Sequence, residues 1–116
     1  MVVVNNNVKS KNKILNYLKN IDVSTNYIYD EVELGNYFVI IVMMTINSNT
    51  LINNTENFIV YLLFQSKNSN KIFGKFFNRE FIDELEANDY YKNLIEKSKL
   101  FTNDYINDLI KQNKLK

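Results

Sequence analysis

Two groups of carboxylates are the side chains in this sequence best spaced to do chemistry. In the first, Asp30, Glu31 and Glu33 lie in a segment that alternates apolar and polar residues. In a strand, neighbours point to opposite faces. Glu31 and Glu33 then share one face, and Asp30 points the other way, among Ile28, Val32 and Ile41. A carboxyl group held among apolar side chains is costly to ionise, which suits a general acid or a ligand for magnesium. The simpler expectation, taken forward here, is a strand-edge ion pair with Lys71 or Lys75.

The second group is Glu80, Asp83, Glu84, Glu86 and Asp89. Residues 79–91 hold these five acids against Arg79 alone, a local charge of −4. On a helical wheel Glu80, Asp83 and Glu84 lie opposite Phe81, Ile82 and Leu85, as on a solvated helix face. Acids in a first helical turn also favour the helix dipole. The sharper reading is a docking face, Glu80, Asp83, Glu84 and Glu86, for a basic partner or in imitation of phosphate.

Other chemistry is largely excluded by composition. There is no His and no Cys, and there are two Gly and no Pro. That removes the side chain that exchanges protons near neutral pH, the thiolate nucleophile and the best zinc ligands. Two isolated glycines cannot build a phosphate-cradling loop. The expectation is a protein that is not an enzyme and uses no cofactor and no metal.

Basic residues give the competing reading. Lys9, Lys11, Lys13 and Lys19 put four positive charges and no acid into one segment, and eight Tyr offer stacking platforms for nucleic acid. Against this stand a net charge of +1 and a single Arg, the preferred partner for phosphate and guanine. The chain carries 21 Asn and 13 Lys against one Ala. That usage matches an AT-rich genome, as in a phage, a virus or a low-GC bacterium, and makes any single Asn or Lys weakly informative.

The elements that must position these residues follow from periodicity. Residues 1–7 read as a loose arm and 8–21 as a helix with Ile14, Leu15, Leu18 and Ile21 on one side. Residues 27–34 and 37–46 read as strands joined at Gly35-Asn36, a pair suited to a tight hairpin turn. A two-residue turn pairs Leu34 with Tyr37, Val32 with Val39, Asp30 with Ile41 and Ile28 with Met43. Residues 37–46 and 58–64 are apolar without alternation, so both should be central strands covered on both faces. The stretch 47–57 is the longest expected loop, and 71–77 an edge strand. Asn78 should cap a helix from Arg79 that breaks near Ala87–Asp89, with Asn88 or Asp89 capping a second segment to Lys99. Thr102 should cap a last helix carrying Tyr105, Ile106, Leu109 and Ile110, and residues 111–116 should fray.

The expected fold is therefore a single α+β domain over 1–116: an N-terminal helix, a four-stranded antiparallel meander and two to three C-terminal helices on the sheet. One sheet face carries Tyr27, Tyr29, Glu31 and Glu33 beside Phe38, Ile40, Val42 and Met44. Covered by a helix it is core; left open it is an interface, with Tyr27 and Tyr29 as a second set of partner contacts. The opening residues carry too short an apolar stretch for a secretory signal, and the run 37–46 is well short of the roughly 20 residues that cross a membrane. A cytoplasmic protein of a bacterial or host cell, without disulfides and away from membranes, is expected. Its expected function is that of a small non-catalytic adaptor or inhibitor, a phage or mobile-element accessory acting against host defence. It would occupy another protein's surface, such as that of a nucleic-acid-binding host enzyme. Nucleic acid bound by the lysine ridge and a homodimer or other homo-oligomer are the alternatives.

Overall fold

A computed structural model describes residues 26–49, 54–69 and 71–114. The arm 1–7, the expected helix 8–21 and the lysine ridge Lys9, Lys11, Lys13 and Lys19 lie outside the described residues. Four strands follow in chain order, β1 (Asn26–Leu34), β2 (Tyr37–Asn49), β3 (Asn54–Ser66) and β4 (Ile72–Phe81), and then two helices, α1 (Glu84–Ser98) and α2 (Asn103–Lys114). The sheet order is β1-β2-β3-β4 with every neighbour antiparallel, so the fold is α+β, a meander with C-terminal helices. Among the described residues no helix is long and apolar enough to cross a membrane.

The first hairpin has the register expected from its turn: Leu34↔Tyr37, Val32↔Val39, Asp30↔Ile41 and Ile28↔Met43. Gly35 takes φ 56°, the left-handed conformation that a primed turn demands and that side chains resist. A second constraint acts at the same residue. The Asn36 N–H donates to Asn103 Oδ1 at 3.2 Å, and a Cβ on Gly35 would overlap that Asn103 side chain. Tyr37 Oη donates to Asn107 Oδ1. The hairpin turn is thus fastened to the first turns of α2.

Three sequence expectations need correction. The loop expected over 47–57 is mostly ladder, because β2 and β3 stay paired out to Asn49↔Asn54. Backbone pairing needs no apolar side chains, so hydrophobic periodicity does not register this extension. The strand expected to stop at Phe77 continues to Phe81, so Asn78 is a strand residue and caps no helix. β4 advances three residues from Phe73 to Phe76 while β3 retreats two, from Phe64 to Leu62. The same mismatch recurs between Phe76 and Arg79 against Leu62 and Val60. These bulges mix strand and helix spacing in the sequence, and they roughen an exposed edge that would otherwise invite another strand.

Third, α1 is continuous through Ala87–Asp89 and starts at Glu84, with Asp83 rather than Asn78, Asn88 or Asp89 as its cap. The opposed apolar sets of the wheel are real but need no kink. Phe81 is buried from the strand, while Ile82 and Leu85 stand in solvent at 82% and 73% exposure. The helix buries Ala87, Tyr91, Leu94 and Ser98 alone. Thr102 does cap α2, accepting from the Tyr105 N–H at 3.1 Å. That helix runs to Lys114, past the point where fraying was expected.

Both helices pack on one face of the sheet. Val39, Ile41, Val60, Leu62, Phe64 and Phe76 form the principal core with Ala87, Tyr91, Leu94, Phe101, Ile106 and Ile110. Phe64 sits at its centre, its ring centroid 5.0 Å from Phe76 and 6.2 Å from Phe101. A second cluster occupies the opposite face: Tyr29, Phe38, Ile40, Val42, Met44, Tyr61 and Leu63. This face, left open between core and interface by the sequence, is buried. Replacing Gly35 by Ala is expected to cost about 1–2 kcal/mol, the usual penalty of a left-handed non-glycine residue, with further loss from displacing Asn103. Chemical denaturation measures it, and an unchanged midpoint would refute the fastening of the turn to α2.

Candidate protein-docking site

The start of α1 is built by the end of β4. Phe81 anchors the chain in the core at 7% exposure, and Asp83 then takes an extended conformation (φ −91°, ψ 123°). From there its carboxylate accepts from the Leu85 N–H at 3.0 Å, and its carbonyl accepts from the Ala87 N–H at 3.1 Å. This cap satisfies donors that a helix N-terminus leaves unpaired. Glu84 and Glu86 lie in the first turn, on the favourable side of the dipole.

The four acids expected to share a face are distributed differently. Glu80 belongs to β4 and accepts from Asn57 Nδ2 at 2.6 Å. Asp83 is occupied in capping. Glu84 and Glu86, two positions apart, lie on different flanks of the helix, because each residue advances about 100°. The outward side, opposite Ala87, Tyr91 and Leu94, holds Leu85 and Asp89, flanked by Glu86. With Ile82 just before the helix, the result is an exposed aliphatic pair inside an acidic segment. Sequence reasoning missed Ile82 and Leu85 as surface residues because it assigned every apolar residue of the segment to the core. The signal that would have found them is the acid that follows Ile82 and the acids on both sides of Leu85.

A shallow groove lies at the other end of α1, lined by Lys97, Leu100, Phe101, Thr102 and Tyr105. Leu100 is 82% exposed there. The tyrosines proposed as partner contacts are placed on the second sheet face. Tyr29 is buried and Tyr27 half-buried, so neither is offered to a partner as a free side chain. Burial first, then the nearby Glu31 and Tyr27, push the Tyr29 hydroxyl above the usual phenol range.

The first acidic group is pulled apart. Asp30 faces the helices, as the alternation implied, and is 3% exposed. Tyr91 Oη donates to Asp30 Oδ2 at 2.7 Å, joining β1 to α1, while Oδ1 has no hydrogen-bond partner among the described residues. Glu31 lies on the opposite face, buried and not free. Glu33 pairs with Lys67, not with Lys71 or Lys75. The Lys67 ammonium also lies 5.2 Å from the centre of the Phe38 ring. Lys75 instead rests over Tyr61 at 4.7 Å. Asp30 and Glu31 therefore cannot converge on one ion. Among the described residues no three His, Cys, Asp or Glu side chains gather to hold a metal.

Tyr91 gives this contact a pH signature. Burial, and then the bond to Asp30, raise its hydroxyl above the usual phenol range. Below about pH 10 the phenol is protonated in both folded and unfolded chains, so the contribution is complete. Above that pH the unfolded phenol ionises while the buried one keeps its proton, and stability falls. Tyr91→Phe is expected to destabilise the protein by about 1–3 kcal/mol at pH 7 by orphaning the Asp30 carboxyl, and to flatten the alkaline decline. Thermal melts from pH 7 to 11 test both, and an unaltered alkaline arm would exclude Tyr91 as its source.

No family model, curated protein or solved structure matches this chain.

Proposed function

We propose that this protein is a non-catalytic protein-binding domain that acts by occupying a partner's surface with the start of α1. One observation carries the reading: Ile82 and Leu85 remain 82% and 73% exposed among Asp83, Glu84, Glu86 and Asp89. Burying an aliphatic side chain of this size is worth about 1.5–3 kcal/mol, and this fold leaves two unburied three positions apart. The flanking acids select the partner: an apolar pocket bordered by Lys or Arg would take the aliphatic pair and meet the carboxylates at its rim. A nucleic-acid-binding protein has such a basic surface, and the acids would compete there with phosphate. An adaptor or inhibitor of this kind, working in the cytoplasm for a phage or mobile element, accords with the AT-rich residue usage.

Two paired substitutions at exposed positions separate the apolar and charged parts of this site. Ile82→Ser with Leu85→Ser, and Glu84→Lys with Glu86→Lys, are each expected to leave circular dichroism unchanged, the charge reversal lowering the melting temperature by a few degrees because it puts positive charge at the α1 N-terminus. Each is also expected to weaken a nuclease-resistant protein complex by tenfold or more, about 1.4 kcal/mol. Wild-type affinity should fall as salt screens the rim charges. Full affinity in both variants would refute the site. Capture abolished by nuclease would transfer the function to nucleic acid.

A further inference from the structure

We infer that this chain associates head to tail with copies of itself, the start of α1 on one copy seating in the groove at the end of α1 on the next. The contact uses the docking surface proposed above, so it rests on that reading, and it gives the groove an occupant. Among the described residues the exposed large apolar side chains are Ile82, Leu85, Leu100 and Tyr105. They fall into two groups, one before and within the first turn of α1 and one just past its end. The first group projects into solvent, and the second lines the groove.

The groove is built by the turn between the two helices. The Leu100 N–H donates to the Lys97 carbonyl and the Phe101 N–H to the Ser98 carbonyl, both at 3.1 Å. That turn sends Phe101 inward at 9% exposure and holds Leu100 outside. The Phe101 ring is the floor, with centroids 4.9 Å from Tyr105 and 6.3 Å from Phe77. Lys97 borders it, its ammonium 4.7 Å from the centre of the Phe77 ring. Lys97 has no ion pair among the described residues, whereas Lys99 is paired with Glu96 at 3.0 Å. The space is about 330 Å³, at the small end of the roughly 300–1,000 Å³ of ligand pockets. Shallow and apolar with one free ammonium, it suits an aliphatic side chain on a protein surface with a carboxylate beside it.

The start of α1 is that combination, Ile82 and Leu85 beside Glu84 and Glu86. The acidic segment faces a stretch, residues 97–105, that holds Lys97 and Lys99 against Asp104 alone. Apolar surface meets apolar surface at the centre, and carboxylate meets ammonium at the margin. The two sites cannot meet within one chain, because the 15 residues of α1 hold them about 22 Å apart. The contact joins different patches on the two copies, so it is heterologous. A pair leaves one groove and one acidic end free, and association continues as concentration rises. A partner bound at the start of α1 blocks this contact, so self-association and partner binding exclude each other there.

Complementation between two variants of the full chain tests this by sedimentation or light scattering. The wild-type mass should rise with concentration past that of a dimer. Ile82→Ser with Leu85→Ser removes the apolar anchors, and Lys97→Glu with Leu100→Asp spoils the groove at two exposed positions. Each variant alone is expected to stay monomeric. Their equimolar mixture should form a heterodimer and stop there, because one working groove and one working acidic end remain for each pair. Association in the mixture also shows that both variants are folded. A wild type still monomeric at about 1 mM, where even a weak contact is half occupied, would overturn the inference. So would a mixture that stays monomeric, or a groove variant that associates as the wild type does. The groove variant should keep the nuclease-resistant partner complex at full affinity, while the anchor variant loses it. Partner binding without self-association therefore sinks this contact and leaves the docking site standing, and self-association without partner binding does the reverse.

Discussion

The structure depends on one constraint: β2 and β3 are apolar on both faces, so water has to be excluded from both sides of the sheet. Val39 and Ile41 on β2, with Val60, Leu62 and Phe64 on β3, point one way. Ile40 and Val42, with Tyr61 and Leu63, point the other way. Two such strands cannot lie at an edge or under a single layer. The flanking strands differ in kind. β1 alternates and carries charge, and β4 is bulged and largely exposed, so each can border solvent without offering a clean template to another chain.

That constraint also explains where polar groups enter the interior. Asp30 and Tyr91 are buried together because β1 passes under α1, and the Tyr91 hydroxyl donates to the Asp30 carboxylate there. Tyr90, one residue earlier, sends its hydroxyl to the Phe77 carbonyl at 2.9 Å, on the bulged part of β4 where the ladder is irregular. Ser98 closes the last turn of α1 on the Ile95 carbonyl. The two tyrosine contacts position α1 on the sheet, and that position decides which of its side chains face outward.

The surface at the start of α1 follows from this placement. The helix turns Ala87, Tyr91 and Leu94 inward, so Leu85 must face out whatever its hydropathy, and Ile82 is in the turn between two anchored elements. Exposed aliphatic side chains bordered by acids are poor candidates for chemistry and good ones for a contact that excludes water at its centre and keeps charge at its margin.

What the sequence by itself determined was local or pairwise. Gly35-Asn36 set the β1–β2 register, because a two-residue turn admits one alignment and a slip would turn every side chain over. Thr102 set the start of α2, because a cap needs only an oxygen three residues ahead of an N–H. The unbroken apolar runs of β2 and β3 announced a sheet covered twice. Tertiary structure alone decided the remainder. The end of β4 depends on bulges whose extra residues mimic helical spacing. The partner of Glu33 is Lys67 because the β3–β4 turn lies beside the first hairpin, where the Lys67 N–H bonds the Asn36 carbonyl. The fate of Ile82 and Leu85 depended on how α1 is rotated on the sheet. Hydropathy records what a side chain gains by burial, and only packing determines which side chains find room in the core.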